Sequence, residues 1–116
     1  MKVINQAEVK PITVESGAAG VEIQWLLDEA AGAPSFSMRR FRIAPGGHTP
    51  LHGHSWEHEV YIISGRGSVI TGGTGTPLRP DDAVLVGPHE QHQFQAAADE
   101  ELVLLCLVPN GPATAR

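Results

Sequence analysis

Between His52 and Gly65 the chain reads HGHSWEHEVYIISG, which sets His52, His54 and His58, with Glu57 and Glu59, within eight residues. His52 and His54 are two apart, so on an extended backbone both imidazoles leave the same face. After Ser55-Trp56-Glu57 the chain returns with His58 at the head of the apolar run VYIIS. Imidazole is the commonest protein ligand for a transition metal, and a cluster of it on neighbouring strand ends suits one ion. Downstream, VGPHEQHQF places His92 before another apolar strand. A single histidine on an apolar face is more often a satisfied core residue. Three at HXHXXXH spacing with a fourth downstream point instead to metal binding.

Other side chains have both a plain and a chemical reading. In Phe36 to Ala44, FSMRRFRIA, Arg39 shares a face with Phe41 and Ile43. It is either a snorkelling surface arginine or a fixed charge for an anionic substrate or oxyanion. Cys106 shares its face with Leu104 and Val108, and a buried structural thiol is the default. Phe94 should face the same interior as His92, two residues before it. Trp56 is a core plug or a lid over the site. His48 reads as solvated, His89 as a turn cap, and Glu57 and Glu59 as surface residues or partners of an imidazole N–H.

The elements that must hold these residues are short strands. Thirteen glycines and nine prolines separate segments rich in Val and Ile, at the turn spacing of a barrel or sandwich. The expected fold is all-β. Val3 to Val14 supplies edge strands, with Pro11 off any central position. Val21 to Leu27, Phe36 to Ala44, the segment after His58, SVITGG, AVLVGP, the segment after His92 and Glu101 to Val108 follow. Ala44 to Pro50 reads as a turn, and residues 110–116 as a frayed tail.

At 116 residues the chain reads as one domain, 1–116, able to hold a single core. The formal net charge of −5, with no basic run beyond Arg39-Arg40, argues against nucleic acid. A single cysteine excludes an intramolecular disulfide. No apolar run approaches membrane-spanning length and no leader-like segment opens the chain. A cytoplasmic location and no membrane partner are expected.

These residues resemble the cupin superfamily. Its first motif, G(X)5HXH(X)3,4E(X)6G, is met by Gly46-GHTPL-His52-Gly53-His54-SWE-His58-EVYIIS-Gly65, with His58 in place of the usual glutamate. The second, G(X)5PXG(X)2H(X)3N, is met loosely by Asp81 to Ala96. His92 is in place, but the first Gly is Asp81, the Pro has moved to 88 and the final Asn is Ala96. The motifs occupy about residues 46–65 and 81–96. The resemblance implies a single-domain, RmlC-like jelly-roll β-barrel in which His52, His54 and His92 are ligands. Spacing favours His58 over Glu59 as the fourth, and adjacent strand residues cannot both face inward. A four-histidine set is similar to the small manganese cupins, and that likeness implies that Cys106 lines the cavity beside the metal.

The cofactor expected is a divalent transition metal, Mn(II) first, with Fe(II), Zn(II), Ni(II) or Cu(II) as the other candidates. A structural zinc is disfavoured, because such sites close with cysteines. The function implied is a dioxygenase-like oxidoreductase acting on a small oxygenated molecule, with Arg39 and Cys106 as candidate catalytic residues in the cavity. The alternatives are a metal-dependent isomerase or lyase, or a binding or sensing module without turnover. Outward apolar Ile63, Leu105 and Leu107 lead to the expectation of a homodimer.

Overall fold

The computed structural model describes residues 1–115, and among them nine strands join one curled sheet. They are β1 (Ile12–Val14), β2 (Ala19–Leu27), β3 (Phe36–His48), β4 (His58–Gly65), β5 (Gly67–Thr71), β6 (Thr74–Leu78), β7 (Ala83–Val86), β8 (Gln93–Ala96) and β9 (Leu102–Pro109). The order is β6-β5-β8-β3-β9-β4-β7, with β2 on the other edge of β3 and β1 outside β2. Only three short 3-10 turns interrupt the described strands and loops, so the all-β expectation holds. No described helix is long and apolar enough to cross a membrane.

Alternation decides which side chains meet inside the curl. Antiparallel register lines up Trp25, Arg39, Cys106 and Val60 in one row across β2, β3, β9 and β4. The next row is Ile23, Phe41, Leu104 and Ile62. Ile43, Ile62 and Leu102 are each 0% exposed and form the centre of the core. At ~25 cal/mol per Å² of apolar area removed from water, such positions carry most of the fold's stabilisation. His58 stands two residues before Val60 on β4, so it joins the inward row while Glu59 turns outward.

Three sequence expectations change. Residues 44–50 do not form a plain turn, because β3 continues through His48. Ala19 pairs with His48 while Val21 pairs with Ile43, so the extra residues bulge. Gly46, at φ 73°, lets the chain make that bulge and sends its N–H to the Ala97 carbonyl. His48 is half-buried rather than solvated, its Nδ1–H donating to the Thr49 carbonyl at 3.0 Å.

Nor is the tail frayed as far as it is described. Asn110 donates its N–H to the Ser35 carbonyl and accepts from the Ser37 hydroxyl. Thr114 is buried, with its hydroxyl 3.0 Å from Glu29 Oε1. Arg116, the last residue of the expected tail, lies outside the described residues.

Candidate metal centre and its cavity

Backbone pairing brings the two histidine segments together before any side chain is considered. The His52 N–H donates to the His92 carbonyl at 3.1 Å, and the His92 N–H returns to the His52 carbonyl at 2.8 Å. The His89 N–H adds a second tie, to the His54 carbonyl at 2.6 Å. His89 sits at φ 65° with its side chain exposed, so its backbone holds the loops. A Cβ added at Gly53 would meet the His89 carbonyl at 3.4 Å, an ordinary van der Waals contact.

The ring nitrogens of His52, His54 and His92 lie within 4.8 Å of one another. His58 Nε2 approaches His54 Nε2 at 2.5 Å. Two nitrogens each ~2.1 Å from a shared ion stand roughly 3–4 Å apart, so this cluster has the span to hold one ion. The tautomers agree. A carbonyl can only accept, so His54 donates Nδ1–H to Trp56 O at 2.7 Å and His92 donates Nδ1–H to Glu90 O at 2.9 Å. Each then keeps Nε2 as a lone pair, the form a metal requires. Because His54 Nε2 carries the lone pair, His58 Nε2–H is the donor in the contact between them. Its own Nδ1 is then free to accept from the Cys106 thiol at 3.1 Å, and Arg39 Nη2–H donates to the same sulfur at 3.0 Å. The hydrogen bonds run in one direction, from Arg39 through Cys106, His58 and His54 to Trp56.

Burial grades the cluster from exposed His52 through half-buried His54 to His58 and His92, which are 8% and 2% exposed. Loss of water, seconded by the Arg39 charge and the other imidazoles, pushes His58 down to about 3. Burial lowers His52 and His54 as well, and the Trp56 carbonyl partly opposes it at His54. The Cys106 thiol is pushed up by burial, against the pull of Arg39.

The pH consequence follows from linkage. An unfolded histidine titrates near 6.5, whereas folded His58 stays neutral down to about 3. The unfolded chain takes up the proton first, so stability is complete above about pH 6.5 and falls as pH drops towards 3. Thermal melts of the metal-free protein should show Tm declining from pH 6.5 to 5, above most carboxylate titration. A flat Tm across that window would mean the cluster is not held neutral.

Beneath the histidines lies a cavity of about 190 Å³. Arg39, Cys106, His52, His58 and His92 line it, and the remaining walls are apolar apart from Thr49. Phe94 is buried with its ring edge-on to His92, centroids 6.3 Å apart. Trp56, readable as plug or lid, lies flat on His54 at 4.3 Å with 5° between the planes. Glu57 and Glu59 are exposed and stay outside. Trp25 and Phe41 flank Arg39, whose guanidinium carbon lies 5.3 Å and 5.1 Å from their ring centroids, and of the two only Trp25 escaped the sequence reading. Alternation puts Phe41 on the Arg39 face, but only strand register brings Trp25 opposite. A separate groove of about 410 Å³ crosses the outer face along Tyr61, Leu85 and Leu107.

A family model described as Cupin domain matches residues 39–108, which hold both histidine segments. The 1-methylthio-D-xylulose 5-phosphate methylsulfurylase of Rhodospirillum rubrum is 41% identical over 71 residues, covering 61% of this chain and 46% of that one. The L-ectoine synthase of Aliivibrio fischeri is 33% identical over 69 residues, covering 57% of this chain and 53% of that one. The chain thus spans about half the length of the curated relatives it matches. Among solved structures, the polyketide cyclase RemF from Streptomyces resistomycificus superposes with a TM-score of 0.90 at 30% identity, covering 96% of this chain and 80% of that one.

Proposed function

The chain belongs to the cupin domain family, and from that premise we propose a metal-dependent protein that acts on a small oxygenated organic molecule. The observation that carries this reading is the convergence of four imidazoles, with His54 and His92 each keeping Nε2 as a lone pair, and three of the four lining a cavity that has no carboxylate in its wall. The proposed ligands are His52, His54, His58 and His92. Neutral imidazoles leave the charge of a bound ion uncompensated and suit Mn(II) or Fe(II) in the lower oxidation state. Such an ion, when bound, supplies Lewis-acid polarisation of a chelating oxygen donor and, for a redox metal, electrons.

The residues around it have separate tasks. Cys106 orients the His58 ring through Nδ1. Arg39 supplies a fixed positive charge at the cavity wall. Val60, Phe94 and Leu104 keep water from the reacting carbons. A dioxygenase-like oxidation is the first reaction class. A non-oxidative rearrangement, cyclisation or elimination is the second, favoured by relatives named as a methylsulfurylase, a synthase and a cyclase. Oxygen-electrode assays of metal-loaded protein with α-hydroxy ketones, diketones and catechols separate the two. Uptake with product supports the first, and product under argon supports the second. Ligand bound but recovered unchanged would overturn both and leave a receptor.

We also infer a homodimer through the outer face, where half-exposed Tyr61 and Ile63 stand beside exposed Leu85. Its groove is apolar, unlike most monomer surface. Sedimentation at micromolar concentration should give twice the 12.3 kDa chain mass, and a single monomeric species would refute it.

A further inference from the structure

Arg39 is a charge with nothing to balance it. Among the described residues no carboxylate pairs with it, and none lines the cavity it faces. Its Nε is buried without a partner, and the partner of Nη2 is a thiol sulfur, a weak acceptor. The rings of Trp25 and Phe41 hold the guanidinium in place without neutralising it. Arg39 as a whole is half-buried, but a guanidinium N–H buried with no acceptor is costly unless an anion supplies one. The same cavity contains no lysine and no second arginine, so it offers one fork of donors rather than the several cations a phosphate dianion calls for. A planar carboxylate matches one guanidinium. At about 190 Å³ the space equals roughly six waters at ~30 Å³ each, and its other walls are mostly apolar.

We propose that the cavity selects a compact organic carboxylate of the 2-hydroxy- or 2-oxo-acid class, its anionic end held by Arg39 and its short carbon chain against the apolar wall. The placing of the vicinal oxygen towards the histidines rests on the metal-site reading above. The contact with Arg39 does not. The test titrates lactate and pyruvate into manganese-loaded and metal-stripped protein, with lactamide as neutral analogue and inorganic phosphate as the competing oxyanion. The readouts are the dissociation constant in both forms and, in the metal-stripped protein where no paramagnetic ion broadens it, the NMR signal of the buried Arg39 Nε–H.

Lactate and pyruvate should bind about tenfold or more tighter than lactamide and shift that signal. The preference should vanish in Arg39→Met and partly return in Arg39→Lys. If Arg39→Met fails to fold, the lactate-to-lactamide ratio and the signal shift in the unaltered chain still decide. Equal binding of lactamide overturns the proposal, as does phosphate binding as tightly as lactate or an unshifted Arg39 signal. Carboxylate preference in a protein that takes up no metal supports the proposal while sinking the metal reading. Metal uptake without carboxylate preference does the reverse.

Discussion

Replacing His58 with alanine should weaken metal binding by about 100-fold or more, whereas Glu59→Ala should change it less than about twofold. Loss of a residue that merely orients a ligand typically costs 10–100-fold in affinity, so loss of a donor should cost at least as much. His58 is 8% exposed, faces inward on β4 and has its Nε2 2.5 Å from that of His54. Glu59 is exposed on the opposite face, pairs across to Leu107 of β9 and cannot swing inward without turning the strand over. Competition titration with a chromophoric chelator, alongside metal counted per chain, measures both variants. If Glu59→Ala were the weaker binder, the motif spacing would have to be read with four intervening residues. No loss in either variant would overturn the four-histidine site.

Gly65→Ala should be the most destabilising single methyl in the molecule, costing about 4 kcal/mol, or roughly 15 °C in Tm. Gly65 ends β4 at φ 86°, a region that other residues enter at a cost. It also pairs with Leu102, and an added Cβ would be driven into the backbone carbonyl of Glu101. That carbonyl has little room to retreat, because Leu102 beside it is 0% exposed. Gly72→Ala is the control. It too has positive φ, at 56°, but open space where the Cβ would go, and should lose only about 1 kcal/mol. Urea titrations of the two variants decide the matter. Similar midpoints would show that the close approach, as distinct from the dihedral, carries no weight. The closing glycine of the first motif is therefore there for the backbone, while its histidines serve the site.

How much of this was legible beforehand depends on the range of the interaction. Side chains two apart on a strand share a face whatever the strand pairs with, so the inward set Arg39, Phe41 and Ile43 could be read directly. The histidines could be read for the same reason, since HXH followed by a returning strand is a local pattern. The row Trp25, Arg39, Cys106 could not. Its members meet only through the register of β2, β3 and β9, and Arg39 is 67 residues from Cys106. The Gly/Pro-rich stretch after Ala44 carries the composition of a turn, yet pairing of His48 with Gln95 and Ala19 extends the strand through it. The tail went astray because Thr114 is held by Glu29, 85 residues earlier. Composition near a terminus carries no trace of such a contact.

The chain contains two tryptophans, and each lies against a different half of the site. Trp56 is stacked on His54, and Trp25 faces the guanidinium of Arg39. An indole reports its neighbours through its emission, and a paramagnetic ion one imidazole away quenches it. The molecule therefore carries two built-in optical channels. Emission from Trp56 would follow the proposed ion, and emission from Trp25 the proposed carboxylate at Arg39. With Phe in place of one tryptophan at a time, the order in which ion and small molecule arrive becomes visible as light.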